Sequence, residues 1–127
     1  MIAPLLMSHF RGRADHVAVA DDGKTFRPVE LKNPLKPEWL TERHLSGQQC
    51  LGFYLMNEDS TVWCSAVDFD NKPDRPARLW MDKAEKVYYL LQNAGLSPLV
   101  EVSASGEAAH VWPIFSEPVS AKRVREA

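Results

Sequence analysis

The stretch TVWCSAVDFDNKP, residues 61–73, decides how the fold is read: an apolar run ends in two aspartates one residue apart. Side chains alternate along an extended chain, so Asp68 and Asp70 share one face while Val67 and Phe69 share the other. The run predicts a single strand over residues 61–70, packed on one face and acidic at its end. Neighbouring carboxylates repel unless a cation lies between them. Hard oxygen donors at this spacing suit Mg²⁺ or Mn²⁺ and leave coordination positions for phosphate and water. A solvated strand end accommodates the same residues, and DFD alone does not separate the two readings.

Working outward, LGFYLM at residues 51–56 reads as a preceding strand with NEDS as its turn. Downstream, NKPDRP breaks the chain. Ala77, Trp80, Met81, Ala84, Val87, Tyr88 and Leu91 then recur at helical spacing, and Gly95 supplies a stop. PLVEVSAS and HVWPIF form two further predicted strands around a GEAA connection. SAKRVREA reads as a closing helix with Ser120 as its cap. The order from Leu51 is β-β-α-β-β-α, an α/β arrangement with helices on one face of a sheet. Residues 1–42 carry mixed charges and prolines, with DDGK a turn and NPLKPEW a connection.

The 127 residues, 45% hydrophobic and 25% charged, suffice for one domain with its own core. A net charge of −2 argues against a wholly basic nucleic-acid coat but leaves room for a local positive groove. No run approaches a membrane span, and MIAPLLM lacks the basic start of a signal peptide. Cys50 and Cys64 lack zinc-site spacing and read as reduced thiols, which points to the cytoplasm. Trp63, Trp80 and Trp112 fall in patterned elements and read as core rather than as base-stacking platforms. Arg11 and Arg13 fit phosphate contacts and ordinary surface charge equally, while Lys122, Arg123 and Arg125 fit a solvated helix face rather better.

A second constellation is EVSASGEAAHVW, residues 101–112. Glu101, Ser103 and Ser105 share a strand face, and Gly106 permits a sharp turn beside a ligand. Ser105 and Gly106 can offer a hydroxyl and an N–H to phosphate, and His110 can reach back with its imidazole. Taken singly, His110 also fits a hydrogen-bonded, half-buried side chain, and the serines fit ordinary turn residues. There is no nucleophile-elbow pattern to support a serine hydrolase.

Together HLSG (44–47), LGFYLM, VDFD, VEVSASG and AHVWPIFSEPVSAKRVRE, with FRGR at 10–13, resemble the archaeo-eukaryotic primase superfamily. The likeness is greatest to the primase-like domain of bacterial TOTE conflict systems. The resemblance implies a partial primase-like catalytic core with a mixed or antiparallel sheet and flanking helices. Residues 1–50 would form the N-terminal segment, and 51–127 the core with its first two motifs. It implies that Asp68 and Asp70 bind catalytic Mg²⁺ or Mn²⁺, and that Ser105, Gly106 and His110 contact the phosphates of a nucleoside triphosphate. A DNA or RNA template and primer are the implied partners, with helicase or nuclease components and no membrane. Ala104 and Ala108 stand where the related motif, SRSGNGAH, carries arginine and its second glycine. The family's third motif, with a further aspartate, and a cysteine-rich zinc-binding insertion before HLSG have no counterpart here. The expectation is therefore a truncated nucleotidyltransferase domain, a primase or primer-extending polymerase. A degenerate nucleotide- or nucleic-acid-binding module and a two-metal nuclease are the alternatives.

Overall fold

The protein is described from a computed structural model, in which residues 2–127 are described. It divides into two compact units, residues 2–63 with 118–127, and Cys64–Glu117.

In the first unit, α1 (Ile2–His9) precedes β1 (His16–Ala20) and β2 (Arg27–Glu30). A short helix α2 (Pro37–Leu40) opens on a proline, which needs no N–H there, and runs into a wide π-helical turn at Thr41–Leu45. Strand β3 (Cys50–Phe53) completes an antiparallel sheet in the order β2-β1-β3. Val17 and Val19, alternating along β1, are buried together with Ala20 and Leu40. The Asp22 carboxylate closes the β1–β2 turn by accepting from the N–H groups of Lys24 (2.9 Å) and Thr25 (2.7 Å) and from the Thr25 hydroxyl (2.7 Å). The β1–β2 hairpin lies in a region where the sequence predicts only a turn. The alternation in HVAVA is its signal, diluted by the surrounding prolines and charges.

The FRGR segment packs by its backbone. Arg13 N–H donates to the Tyr54 carbonyl at 2.9 Å, and a Cβ on Gly12 would sit 2.1 Å from that same oxygen. Only glycine fits such an approach to a main-chain atom.

Strand β4 (Thr61–Cys64) pairs with β8 (Ile114–Ser120), and α4 (Ala121–Glu126) follows β8. The Ser120 oxygen caps α4 as expected, accepting from Arg123 N–H at 3.5 Å.

The second unit contains β5 (Val67–Asp70), α3 (Leu79–Asn93), β6 (Leu99–Val102) and β7 (Ala108–Trp112). The three strands form an antiparallel sheet in the order β5-β7-β6. Phe69, Ala109 and Val111 face α3 and pack with Trp80, Ala84, Val87, Tyr88 and Leu91. Five of the seven positions in the expected helical stripe therefore line this core, whereas Met81 is exposed.

Two predicted strands are each broken in two. Residues 61–70 divide at Ser65–Ala66 into β4 and β5, and HVWPIF divides at Pro113 into β7 and β8. The breaks coincide: Ser65 N–H donates to the Pro113 carbonyl at 3.2 Å. Proline has no N–H to continue a ladder, so the strand changes partners there. The order from Leu51 is accordingly β-β-β-α-β-β-β-α. The class remains as expected, α/β with antiparallel sheets and flanking helices.

Among the described residues no helix is long and apolar enough to cross a membrane. Cys50 and Cys64 are both free thiols. Burial pushes the Cys64 thiol up to about 11.

Candidate functional site

The face of the β5-β7-β6 sheet turned away from α3 carries the polar residues. Antiparallel register places Asp68, His110 and Glu101 in one cross-strand row, with Asp68 opposite His110 and His110 opposite Glu101. The same alternation that buries Ala109 and Val111 turns His110 to this face. His110 Nε2 lies 3.3 Å from Asp68 Oδ1, and Nδ1 lies 3.2 Å from Glu101 Oε2. Asp68 is 58% exposed and Asp70 is also exposed, so water screens their mutual repulsion.

Asp70 stands opposite Ala108, one pair beyond the Asp68 row on the same face. The ladder then continues through a backbone bond from Asn71 N–H to the Glu107 carbonyl at 3.0 Å. Beyond it is the β6–β7 hairpin tip, where Gly106 has φ of 73°. Gly106 N–H donates to the Ser103 carbonyl (2.9 Å), and Ser103 N–H to the Ala108 carbonyl (2.9 Å). The Ser103 and Ser105 hydroxyls are 2.8 Å apart, and Ser105 Oγ accepts from Glu107 N–H at 3.2 Å. Ser105 and Gly106 thus lie at the end of the sheet where Asp70 lies, while His110 is the residue brought against Asp68. Ala108 sits within β7 as an ordinary strand residue.

A cleft of about 290 Å³ runs along β5 to the first turns of α3. Asp68, Asp70 and Asn71 line it together with Lys72, Arg75 and Lys83. Sequence reasoning did not single out these three cations. Their signal was a basic residue in the break after the strand, another before the helix and a third on its exposed side. Among the described residues, they make no ion pair within 4 Å with either aspartate.

The acidic pair suits a hard divalent cation, since both carboxylates are exposed and Asp70 has no ion-pair partner among the described residues. They are a partial donor set. Among the described residues no group of three or more His, Cys, Asp or Glu is arranged to hold a metal ion.

Several other residues considered from sequence have structural partners. Arg13 forks onto Asp15 at 2.8 and 2.5 Å and reaches Glu58 at 3.2 Å. The Arg13 guanidinium thereby holds the Asp15 carboxyl well below the usual carboxylate range. Arg11 stacks over the half-buried Trp63 ring at 4.7 Å. His44 Nδ1 accepts from Leu51 N–H at 3.2 Å, tying the HLSG turn to β3. Trp80 is core as expected, and Trp112 is half-buried. Lys122 approaches Glu126 at 4.0 Å.

The sheet-and-helix arrangement is a mixed α/β fold with antiparallel sheets and flanking helices, consistent with an archaeo-eukaryotic primase-like architecture. The chain belongs to the archaeo-eukaryotic primase domain family of TOTE conflict systems, whose profile matches residues 27–127. No curated protein matches the chain.

Proposed function

We propose that this domain is the core of a template-dependent nucleotidyltransferase, a primase or primer-extending polymerase. The observation that carries the reading is the placement of His110 beside Asp68, with Asp70 one pair further on the same face. Asp68 and Asp70 would hold Mg²⁺ or Mn²⁺, together with the further aspartate that the family resemblance implies. When bound, such ions neutralise phosphate charge and stabilise the attacking and leaving oxygens. His110 would meet the nucleotide's phosphates from the neighbouring strand, and Ser105 from the hairpin tip. A Gly106 contact would share the N–H now donated to Ser103. Lys72, Arg75 and Lys83 line the cleft with Asp68 and Asp70, whereas His110, Ser105 and Gly106 do not, and would attract polyphosphate to the aspartate edge of the sheet. A primer 3′-hydroxyl, or that of an initiating nucleotide, would attack the α-phosphorus, forming a P–O bond as the α–β P–O bond breaks, with the hydroxyl proton passing to water and pyrophosphate leaving. The residues named here act by positioning and charge complementarity.

A second reading, a nucleotide- or nucleic-acid-binding module without turnover, is favoured by the lack, among the described residues, of a three-ligand metal group and by the Gly106 N–H being used within its turn. Extension of a labelled primer on DNA and RNA templates, with nucleoside triphosphates and Mg²⁺ or Mn²⁺, separates the two. In the domain completed with the further aspartate, Asp68→Ala and Asp70→Ala should each reduce extension about 100-fold or more, as expected when several kcal/mol of charge stabilisation are lost. Undiminished extension by both variants would refute the assignment. Binding without extension would favour the module, and shortening of the labelled strand would indicate a nuclease.

A further inference from the structure

Glu101 stands on β6 opposite His110, and its Oε2 gathers two donors, His110 Nδ1 at 3.2 Å and Trp112 Nε1 at 3.0 Å. A carboxylate oxygen only accepts, so this bond places a proton on Nδ1. Trp112 also meets the imidazole edge-on, with ring centroids 5.9 Å apart and planes at 68°. With Nδ1 held on the β6 side, Nε2 is directed to the β5 side, 3.3 Å from Asp68. A ring flip would put Cδ2 in place of Nδ1 and Cε1 in place of Nε2, and break the Glu101 bond. Trp112 in turn fixes the carboxylate that fixes the ring.

We propose that Glu101 is a positioning residue for His110, selecting which ring nitrogen faces Asp68 and the phosphate-binding side of the site. It acts through the imidazole and does not touch reacting atoms. Its effect on nucleotide binding rests on the reading of His110 as a phosphate contact; its effect on the ring does not. Histidines at phosphate and metal sites commonly owe their orientation to a carboxylate on the far nitrogen.

The test uses the full chain, ¹⁵N-labelled, as the parent, Glu101→Gln, Glu101→Ala and His110→Ala, each checked for folding by circular dichroism. The His110 ring nitrogens and the Trp112 indole N–H are followed by NMR at one fixed pH, and ATP affinity is measured with Mg²⁺ present. Glu101→Ala should move both the His110 ring signals and the Trp112 indole signal. It should also weaken ATP binding about tenfold, the equivalent of one lost hydrogen bond to a charged group. Glu101→Gln retains an acceptor oxygen and should restore part of both effects. His110 ring signals unchanged in Glu101→Ala would overturn the proposal, even if the Trp112 signal moves, because the carboxylate would then serve the indole alone. Displaced ring signals with unweakened ATP binding, where His110→Ala does weaken it, would overturn the functional role. Should the parent itself bind no ATP, the phosphate reading of His110 fails, while the ring signals still decide the positioning.

Discussion

Val111 and Val100 are register partners on the face of the sheet turned toward α3, and they differ in what surrounds them. Val111 is 0% exposed within the cluster of Trp80, Ala84 and Ala109, whereas Val100, on the edge strand, is 50% exposed. Val111→Ala removes two methyl equivalents, about 1.6 kcal/mol of transfer free energy. A residual void in the packed cluster raises the expected loss to about 2–3 kcal/mol. At Val100 about half the transfer free energy applies and no closed void is left, so Val100→Ala should cost under about 1 kcal/mol. Urea unfolding of the parent and both variants, followed by fluorescence and circular dichroism at equal m-values, measures the difference. The comparison bears on function because β7 alternates: packing Val111 against α3 is what turns His110 to the other face. If Val111→Ala cost under about 1 kcal/mol, the assigned faces would be wrong. The Asp68–His110 row would fall with them.

Cys50 is half-buried while Cys64 is buried, with its thiol pushed up to about 11, so a thiol reagent should modify Cys50 first and Cys64 only on unfolding. Equal native-state rates at the two thiols would contradict that burial. The Asp22 carboxyl is lowered from 3.8 to about 2, chiefly by the Thr25 N–H and then by the Lys24 N–H and the Thr25 hydroxyl. Its stabilising contribution should therefore be complete above 3.8 and disappear as pH falls through about 2, and Asp22→Ala should flatten the pH dependence of the urea midpoint across that window. An unchanged slope would show that the turn bonds do not hold the carboxylate.

The facing of Asp68 and Asp70 was legible because period-two alternation is local and needs no partner. His110 beside Asp68 depended on pairing register, which no single stretch encodes, although the short hairpin at Gly106 made β6–β7 pairing foreseeable. The helix over Leu79–Asn93 was legible from its apolar spacing, since Trp80, Ala84, Val87, Tyr88 and Leu91 return to one face. The divisions at Ser65–Ala66 and Pro113 were not. Apolar periodicity runs across both, and although Pro113 was a visible signal, a strand's exchange of partners is a tertiary event. Glu101 went unassigned because its donors lie nine and eleven residues away, on the neighbouring strand.

Strand β6 also has a consequence for how the protein behaves in concentrated solution. It lies at the margin of its three-stranded sheet, and Leu99, Val100 and Val102 are all exposed. Apolar edge strands template pairing with other chains unless charge interrupts them. Glu101 supplies that interruption between the two valines, so one carboxylate both meets the imidazole and discourages self-association. Replacing it with alanine leaves a Val-Ala-Val edge, whose first symptom would be light scattering that rises with protein concentration.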